Sequence, residues 1–524
     1  MNAASLIHAT RQRSARLENY PLDLRGFQAT TPLELAQMMF QSPDLGTNPG
    51  LPKPVNRSTL ADLATAFHQR AGTMTDSVSV ALAQLASGAR IIRAAHQPNI
   101  LPYMGVLGQL FLLDAVAVHG QQEYSASCCQ MFFIVDHDSA GDKRFRVSRF
   151  PSARHRDGSA ALRYPLEHAA YERMNLAIEK PPATLLNEWL SEVRRITVDE
   201  VRLLRRMGIH EHTRGQVDMT LEVIDSELVE AWRRSSNLSE FNAIFLSRLT
   251  NLYWELPTIF LPLSASLPSM HPYVEYLVEL YPDLVSAFQR RTRQFRDVGL
   301  EFPISSSVNL ELLPFWFVCT SCRSRVPLRA VSPPRLIAKG RCPSCFVEYS
   351  FDLGSYAAPD LDGFQGKIVP RVLLDNLLDL IGIGISGGVG YIGGAEHVLA
   401  SALIASDLGW RTVPECLWRP FGAYFGSAEI LAAAAEQEHP LAAAGLHPHQ
   451  VFELVATGRA SLIYYLLGQG INGISQMWHD HFDNGNGVDS VGVGRPRFAI
   501  GQDISGVVQK AATSLLRQEI ALDF

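Results

Sequence analysis

The 524-residue chain has little charge and little cysteine: Asp, Glu, Lys and Arg make up 19%, and there are seven cysteines. Forty-six basic residues stand against 52 acidic ones, a net charge of −6. That balance excludes a protein whose main task is coating nucleic acid. No apolar run suffices to span a bilayer. The best candidate, 380–395, has 16 residues and is crowded with glycine, against about 20 required. The first twenty residues lack a signal-peptide core, and the cysteines do not form a secreted disulfide framework. A cytoplasmic protein without membrane association is expected. The chain also lacks internal repeats, a G-x-x-x-x-G-K-[ST] phosphate loop and a G-x-S-x-G nucleophile elbow, the signatures of two large enzyme classes.

What remains is an ordinary globular composition, 47% hydrophobic, long enough for about three domains. Residues 1–88 read as a helical and loop extension. Four prolines (Pro43, Pro49, Pro52, Pro54) mark a loop, and Ser58 is the expected N-cap of a helix through Leu60, Leu63 and Phe67. From 89 to 180 the texture is that of a sheet core. A short apolar run, 91–95, leads through His96-Gln97-Pro98-Asn99 into a long apolar helix, and a second run, 131–135, stops at Asp136-His137-Asp138. This spacing predicts a βαβ unit of a parallel sheet, with both polar clusters at carboxyl ends of strands, where such sheets do their chemistry. Residues 181–236 have helical periodicity and high charge, and predict a projecting helical pair or coiled arm. The core resumes over 237–315 with a helix feeding a strand at 258–261. A glycine-rich part spans 351–425, and a helical region with helices near 430–436 and 451–467 closes the chain.

Cys319-Thr-Ser-Cys322 and Cys342-Pro-Ser-Cys345 are separated by 19 residues. Two such knuckles supply four thiolates to one tetrahedron, so 316–350 reads as a zinc ribbon; a closed four-sulfur site makes the zinc structural. The other clusters are less specific. His96, Gln97 and Asn99, opening a helix, would attract phosphate or carboxylate. Asp136, His137 and Asp138 could act as general base or orient an amine; strand alternation would put the two carboxylates on one face and the imidazole on the other. Gly382-x-Gly384-x-x-Gly387 matches a dinucleotide pattern but reads as following a helix instead of a strand. Gly387, Gly388, Gly390, Gly393 and Gly394 instead suggest close approach of backbone to a ligand. Trp478-His-Asp-His-Phe-Asp483 is a weak metal motif, since adjacent loop side chains face different ways.

Several of these segments, in order, resemble the cysteine-adding enzyme family of bacillithiol biosynthesis. The turn from Ala95 to Gly105, the strand end Phe132-Phe-Ile-Val-Asp-His-Asp138, the helix at Asn237–Leu249 and the stretch from Arg371 to Gly390-Tyr-Ile-Gly-Gly-Ala-Glu396 are similar to that family's Q-P-G…G, E-D-H-D and R-P…Y-V-G-G-P-G-E motifs. The resemblance implies a Rossmann-like core with a helical arm. The implied activity is an ATP-assisted carbon–nitrogen ligase joining cysteine or another amino acid to an amino-sugar-linked acceptor. It gives catalytic roles to His96, Asp136, His137 and Asp138. Substrate or nucleotide binding falls to Gln97, Asn99, Tyr103, Arg371, Gly387, Gly388, Tyr391, Gly393, Gly394 and Glu396. Small molecules are the expected partners, with a homodimer through the arm. Asn99, Val135 and Ala395 depart from the family's glycine, acid and proline, and the ribbon is no part of its pattern. A shorter stretch, His96-Gln-Pro-Asn-x-Leu-Pro-Tyr-x-Gly105, is similar to the opening of WbqC-like proteins of polysaccharide modification. A non-catalytic scaffold docking through the ribbon is the remaining alternative.

Overall fold

A computed structural model describes residues 28–29, 31–41, 53–151 without 98 and 103, 159–206, 214–297, 302, 308–331, 335–391, 396–418 without 411, and 475. The helices expected near 430–436 and 451–467 and the motif at 478–483 lie outside these residues. The strands run in chain order β1 (Gln28–Ala29), β2 (Arg90–His96), β3 (Cys128–Ile134), β4 (Val147–Pro151), β5 (Ser159–Arg163), β6 (Ile259–Pro262), β7 (Leu312–Val318), β8 (Arg325–Ala330), β9 (Arg335–Arg341), β10 (Glu348–Ser355), β11 (Ala358–Pro359), β12 (Ile368–Pro370), β13 (Gly387–Tyr391) and β14 (Glu415–Trp418).

Six of them form a parallel sheet in the order β1-β14-β13-β2-β3-β6. Side-chain alternation divides the core in two. Ile92, Ala94, Phe132, Ile134 and Phe260 enter one buried cluster, while Ile91, Met131, Phe133, Ile259 and Leu261 enter the other. Both faces are therefore covered, which is why these strands are largely apolar, with Arg93 on β2 and Gln130 on β3 as buried polar exceptions. The helix Met104–Tyr124 joins β2 to β3 as expected and is buried from Val106 through Val116. From β2 the chain builds outward through β3 to β6, then returns to the other side of β2 for β13 and β14. Such a reversal is where open parallel sheets form their ligand crevice, here at the carboxyl ends of β2 and β13. Among the described residues no helix is long and apolar enough to cross a membrane.

Two polar groups inside this core have buried partners. His68, in the helix Arg57–Ala71, bonds Thr73 through Nδ1 at 2.7 Å and accepts the Phe260 amide at Nε2 at 2.9 Å. Burial pulls its pKa down to about 3, so it is a neutral structural imidazole. On β2, Arg93 is 4% exposed and lies 3.2 Å from Glu415 and 3.3 Å from Asp379. Burial pushes both carboxyls up, and the guanidinium opposes that shift. Arg93→Leu strands these acids and is expected to cost about 3–5 kcal/mol in denaturant unfolding. A loss below about 1 kcal/mol would mean the acids find other partners.

The helix N-cap is Asn56 instead of Ser58; its Oδ1 accepts the Ser58 amide at 3.0 Å. The segment 181–236 does form two helices, Ala183–Arg206 and Arg214–Arg234. Their apolar faces (Trp189, Val193, Ile224 and Leu228 among them) join one continuous buried cluster with Phe111 and Phe241. The cysteine module exceeds the expected 316–350. It is a six-stranded sheet, β11-β10-β9-β8-β7-β12, that runs on to Pro370. The reason lies in its core: Phe317 packs on Tyr349, Phe351 and Phe364 at ring separations of 4.7–6.0 Å, so closure needs residues beyond 350.

Candidate functional site

The polar cluster forms because β3 stops early. The strand ends at Ile134; the Asp136 amide donates to the Ile134 carbonyl at 3.0 Å, starting a turn before the three polar residues. Strand alternation therefore does not govern them, and each faces a different neighbour. Asp136 accepts the Ser264 amide at 2.9 Å and the Ser264 hydroxyl, just past β6. Burial pushes its carboxyl up, while His137 and Ser264 pull it back. Asp138 accepts Arg325 Nη1 at 2.6 Å and the Ser139 amide at 2.7 Å on one oxygen, and Gln97 Nε2 on the other. Its side chain is 39% exposed, so this aimed carboxylate meets solvent.

His137 is 3% exposed, with Nε2 3.4 Å from Asp375 and Nδ1 buried without a partner among the described residues. Burial is the largest influence and lowers its pKa. Asp375, Asp136 and Asp138 together outweigh it and raise the value to about 9. An imidazolium at neutral pH cannot serve as the base, which removes His137 from the three residues considered for that role. The folded pKa exceeds the ordinary 6.5. Its stabilisation is thus complete below pH 6.5 and lost as pH rises through about 9, worth on the order of 3 kcal/mol. Urea unfolding of wild type should weaken across that window, and His137→Gln should flatten the dependence. Identical slopes in the two proteins would remove the charged imidazole from the site.

Around this centre the expected residues divide. His96 ends β2 with Nδ1 2.8 Å from the Gln97 carbonyl, and Gln97 reaches Asp138, so the first two strand ends do meet. Asn99 does not join them. It is buried, with Nδ2 3.2 Å from Ser148 Oγ. The helix begins only at Met104, so His96 and Asn99 are not at its N-terminus. Tyr103, Gly393 and Gly394 lie outside the described residues, as do the side chains of Tyr391 and Glu396; the backbone of those two sits at the end of β13 and the start of the next helix, on the same sheet edge. Gly387 and Gly388 accommodate protein instead of ligand: a Cβ would fall 2.5 Å from Met39 Sδ and 2.2 Å from Glu415 Oε2 respectively. The Gly382–Gly387 pattern begins in a helical turn and runs into the first residue of β13 instead of following a strand, so the dinucleotide fingerprint does not apply. Asp407, about twenty residues past Gly387 where that fingerprint places its ribose-binding acid, is paired with Arg291 at 2.6 Å.

Arg371 follows β12 and lies over Trp316 at 3.8 Å; Arg325, at the start of β8, lies over the same ring at 5.0 Å. The four Sγ atoms of Cys319, Cys322, Cys342 and Cys345 are all within 4.8 Å of one another, with contacts of 3.4 Å for 319–345 and 322–342. A tetrahedral ion with 2.3 Å bonds separates its sulfurs by about 3.8 Å, so the four fit a metal such as zinc. The first knuckle also leads into Arg325, whose amide donates to the Glu172 carbonyl at 2.9 Å. The module therefore delivers a side chain to Asp138.

Sequence reasoning missed Asp375, Ser264, Arg325 and Trp316. Asp375 had a signal, four residues beyond Arg371 on a short helix; Ser264 had none, because only folding sets it beside Asp136. No protein-family model matches this chain, and no curated protein matches it either.

Proposed function

We propose that the chain is an amide-forming ligase, similar to the cysteine-adding enzyme of bacillithiol biosynthesis, that joins cysteine or another amino acid to a small, sugar-linked acceptor. The observation that carries this reading is the meeting of Asp136, His137 and Asp138 with Gln97 and Arg325 beside the crevice of a parallel sheet. The strand order β6-β3-β2-β13-β14 supports reading the core as Rossmann-like. In this reading Asp138 takes the proton of the attacking amine, being exposed and aimed by three donors. The His137 imidazolium stabilises the negative charge that grows on the attacked carbonyl oxygen. Asp136 and Asp375 keep that imidazole charged.

Amide formation from a free carboxylate is uphill in water, and ATP would supply the activating group. The metal held by the four cysteines is zinc in this reading, and it is structural, since four protein sulfurs leave no open position. Untargeted metabolite comparison of a strain lacking the gene with its parent tests the reaction class. An amine should accumulate while its aminoacyl amide disappears. An unchanged set of amides overturns the ligase reading.

A further inference from the structure

Arg371 is a poorly compensated charge among the described residues. Its backbone is fixed, the amide donating to the Pro314 carbonyl at 2.9 Å as β12 pairs with β7. Its guanidinium lies 3.8 Å from the centre of the Trp316 ring. Nε and Nη2 are buried and have no hydrogen-bond partner among the described residues. The neighbouring carboxylates are engaged elsewhere: Asp375 faces His137 and Asp138 is held by Arg325. Arg325 makes the balance worse, adding a second cation over the same ring with its own Nε buried and unpartnered.

Cation–π contact does not resolve this. Stacking uses the face of a guanidinium, whereas its N–H donors point outward in the plane. Those edge donors fit a coplanar carboxylate or two phosphate oxygens, bound bidentately. A buried, unpaired guanidinium is costly, and an anion relieves the cost.

We propose that Arg371, backed by Trp316 and flanked by Arg325, is the seat of an anionic substrate group, a carboxylate or a phosphate. The inference deepens the ligase reading by giving the substrate a charge and a docking point. Arg325 links that seat to Asp138, so an anion anchored on Arg371 would hold its reacting end near the base. Burial lowers the Arg371 pKa to about 10, with Tyr281 opposing that shift and Arg325 adding to it, which leaves the side chain charged at neutral pH.

The test needs no turnover. Isothermal titration of the full, zinc-loaded chain at low salt would use pyrophosphate and glutarate as separate probes, and the probe that binds identifies the anion as phosphate or carboxylate. Arg371→Gln should weaken binding about ten- to a hundredfold, as expected for loss of charge-assisted hydrogen bonds. Arg371→Lys keeps the charge without the fork and should fall between the two. If Arg371→Gln does not fold, wild type is treated with p-hydroxyphenylglyoxal and mapped by peptide mass spectrometry; the bound probe should protect Arg371. Binding of neither probe, equal binding by a folded Arg371→Gln, or unprotected Arg371 at saturating probe each overturns the proposal. Anion binding through Arg371 without any amide product would defeat the ligase reading alone. Amide formation with Arg371-independent anion binding would defeat this one alone.

Discussion

Asp138→Asn should lower turnover in the amide-forming reaction at least about a hundredfold, the loss typical for removal of a general base. The substitution keeps the shape of the side chain and one acceptor oxygen for Arg325 and Ser139, gives up the acceptor for Gln97 and removes the basicity. Because Asp138 is 39% exposed, the fold should tolerate the change, with an unfolding midpoint close to wild type. His96→Ala is expected to reduce turnover less, since His96 bonds the Gln97 carbonyl and acts on Asp138 through that neighbour. Its contribution is therefore positional, and should appear as a change in turnover without a shift in the pH profile. Near-normal turnover in Asp138→Asn, measured once an acceptor is in hand, would place the chemistry elsewhere.

Loss of the metal should be the largest structural effect. Protein purified without chelator should hold one zinc per chain, and Cys345→Ser should abolish stoichiometric binding. Structural zinc contributes on the order of 10 kcal/mol to the folding of small domains, so β8 to β10 should become open to protease in the variant. The parallel sheet keeps one buried cluster built without ribbon residues and should stay folded, although its other cluster is continuous with Phe317 and Cys319. A separate consequence reaches the crevice. Arg325 follows the first knuckle by three residues and holds Asp138, so the ribbon variant should also lose the orientation of that carboxylate. Metal analysis that finds no zinc in the wild-type protein ends this argument.

The sequence made the parallel sheet legible because strands buried on both faces are mostly apolar; in Ile91–Ala95 and Met131–Ile134 the exception is Arg93, paired with Asp379 and Glu415. The cysteine knuckles were equally plain, since metal geometry dictates their spacing. The site was legible only at its strand ends. Local spacing cannot show that β3 stops at Ile134, and that early stop sends His137 to Asp375 instead of to the opposite face. Partners 128 to 322 residues distant, such as Ser264 for Asp136 and Glu415 for Arg93, are set by topology, which the local pattern does not encode. The glycines of β13 misled for a related reason. Glycine reports close approach, but it does not say whether ligand or side chain approaches, and at 387 and 388 Met39 and Glu415 fill the space.

The buried imidazole on the Arg57–Ala71 helix has a bearing on how the sheet ends. β6 is the last strand in the order, with β3 as its neighbour, so its far side offers main-chain groups that another molecule could extend into a shared sheet. His68 accepts the Phe260 amide there, and Asn251 donates to the Thr258 carbonyl at 3.0 Å. Two side chains thus take the place of a seventh strand and close the border to intermolecular growth. The seal depends on a neutral ring, and a pKa near 3 keeps it neutral at every ordinary pH. Only strong acid would convert that acceptor to a donor, release the Phe260 amide and make the border available for polymerisation.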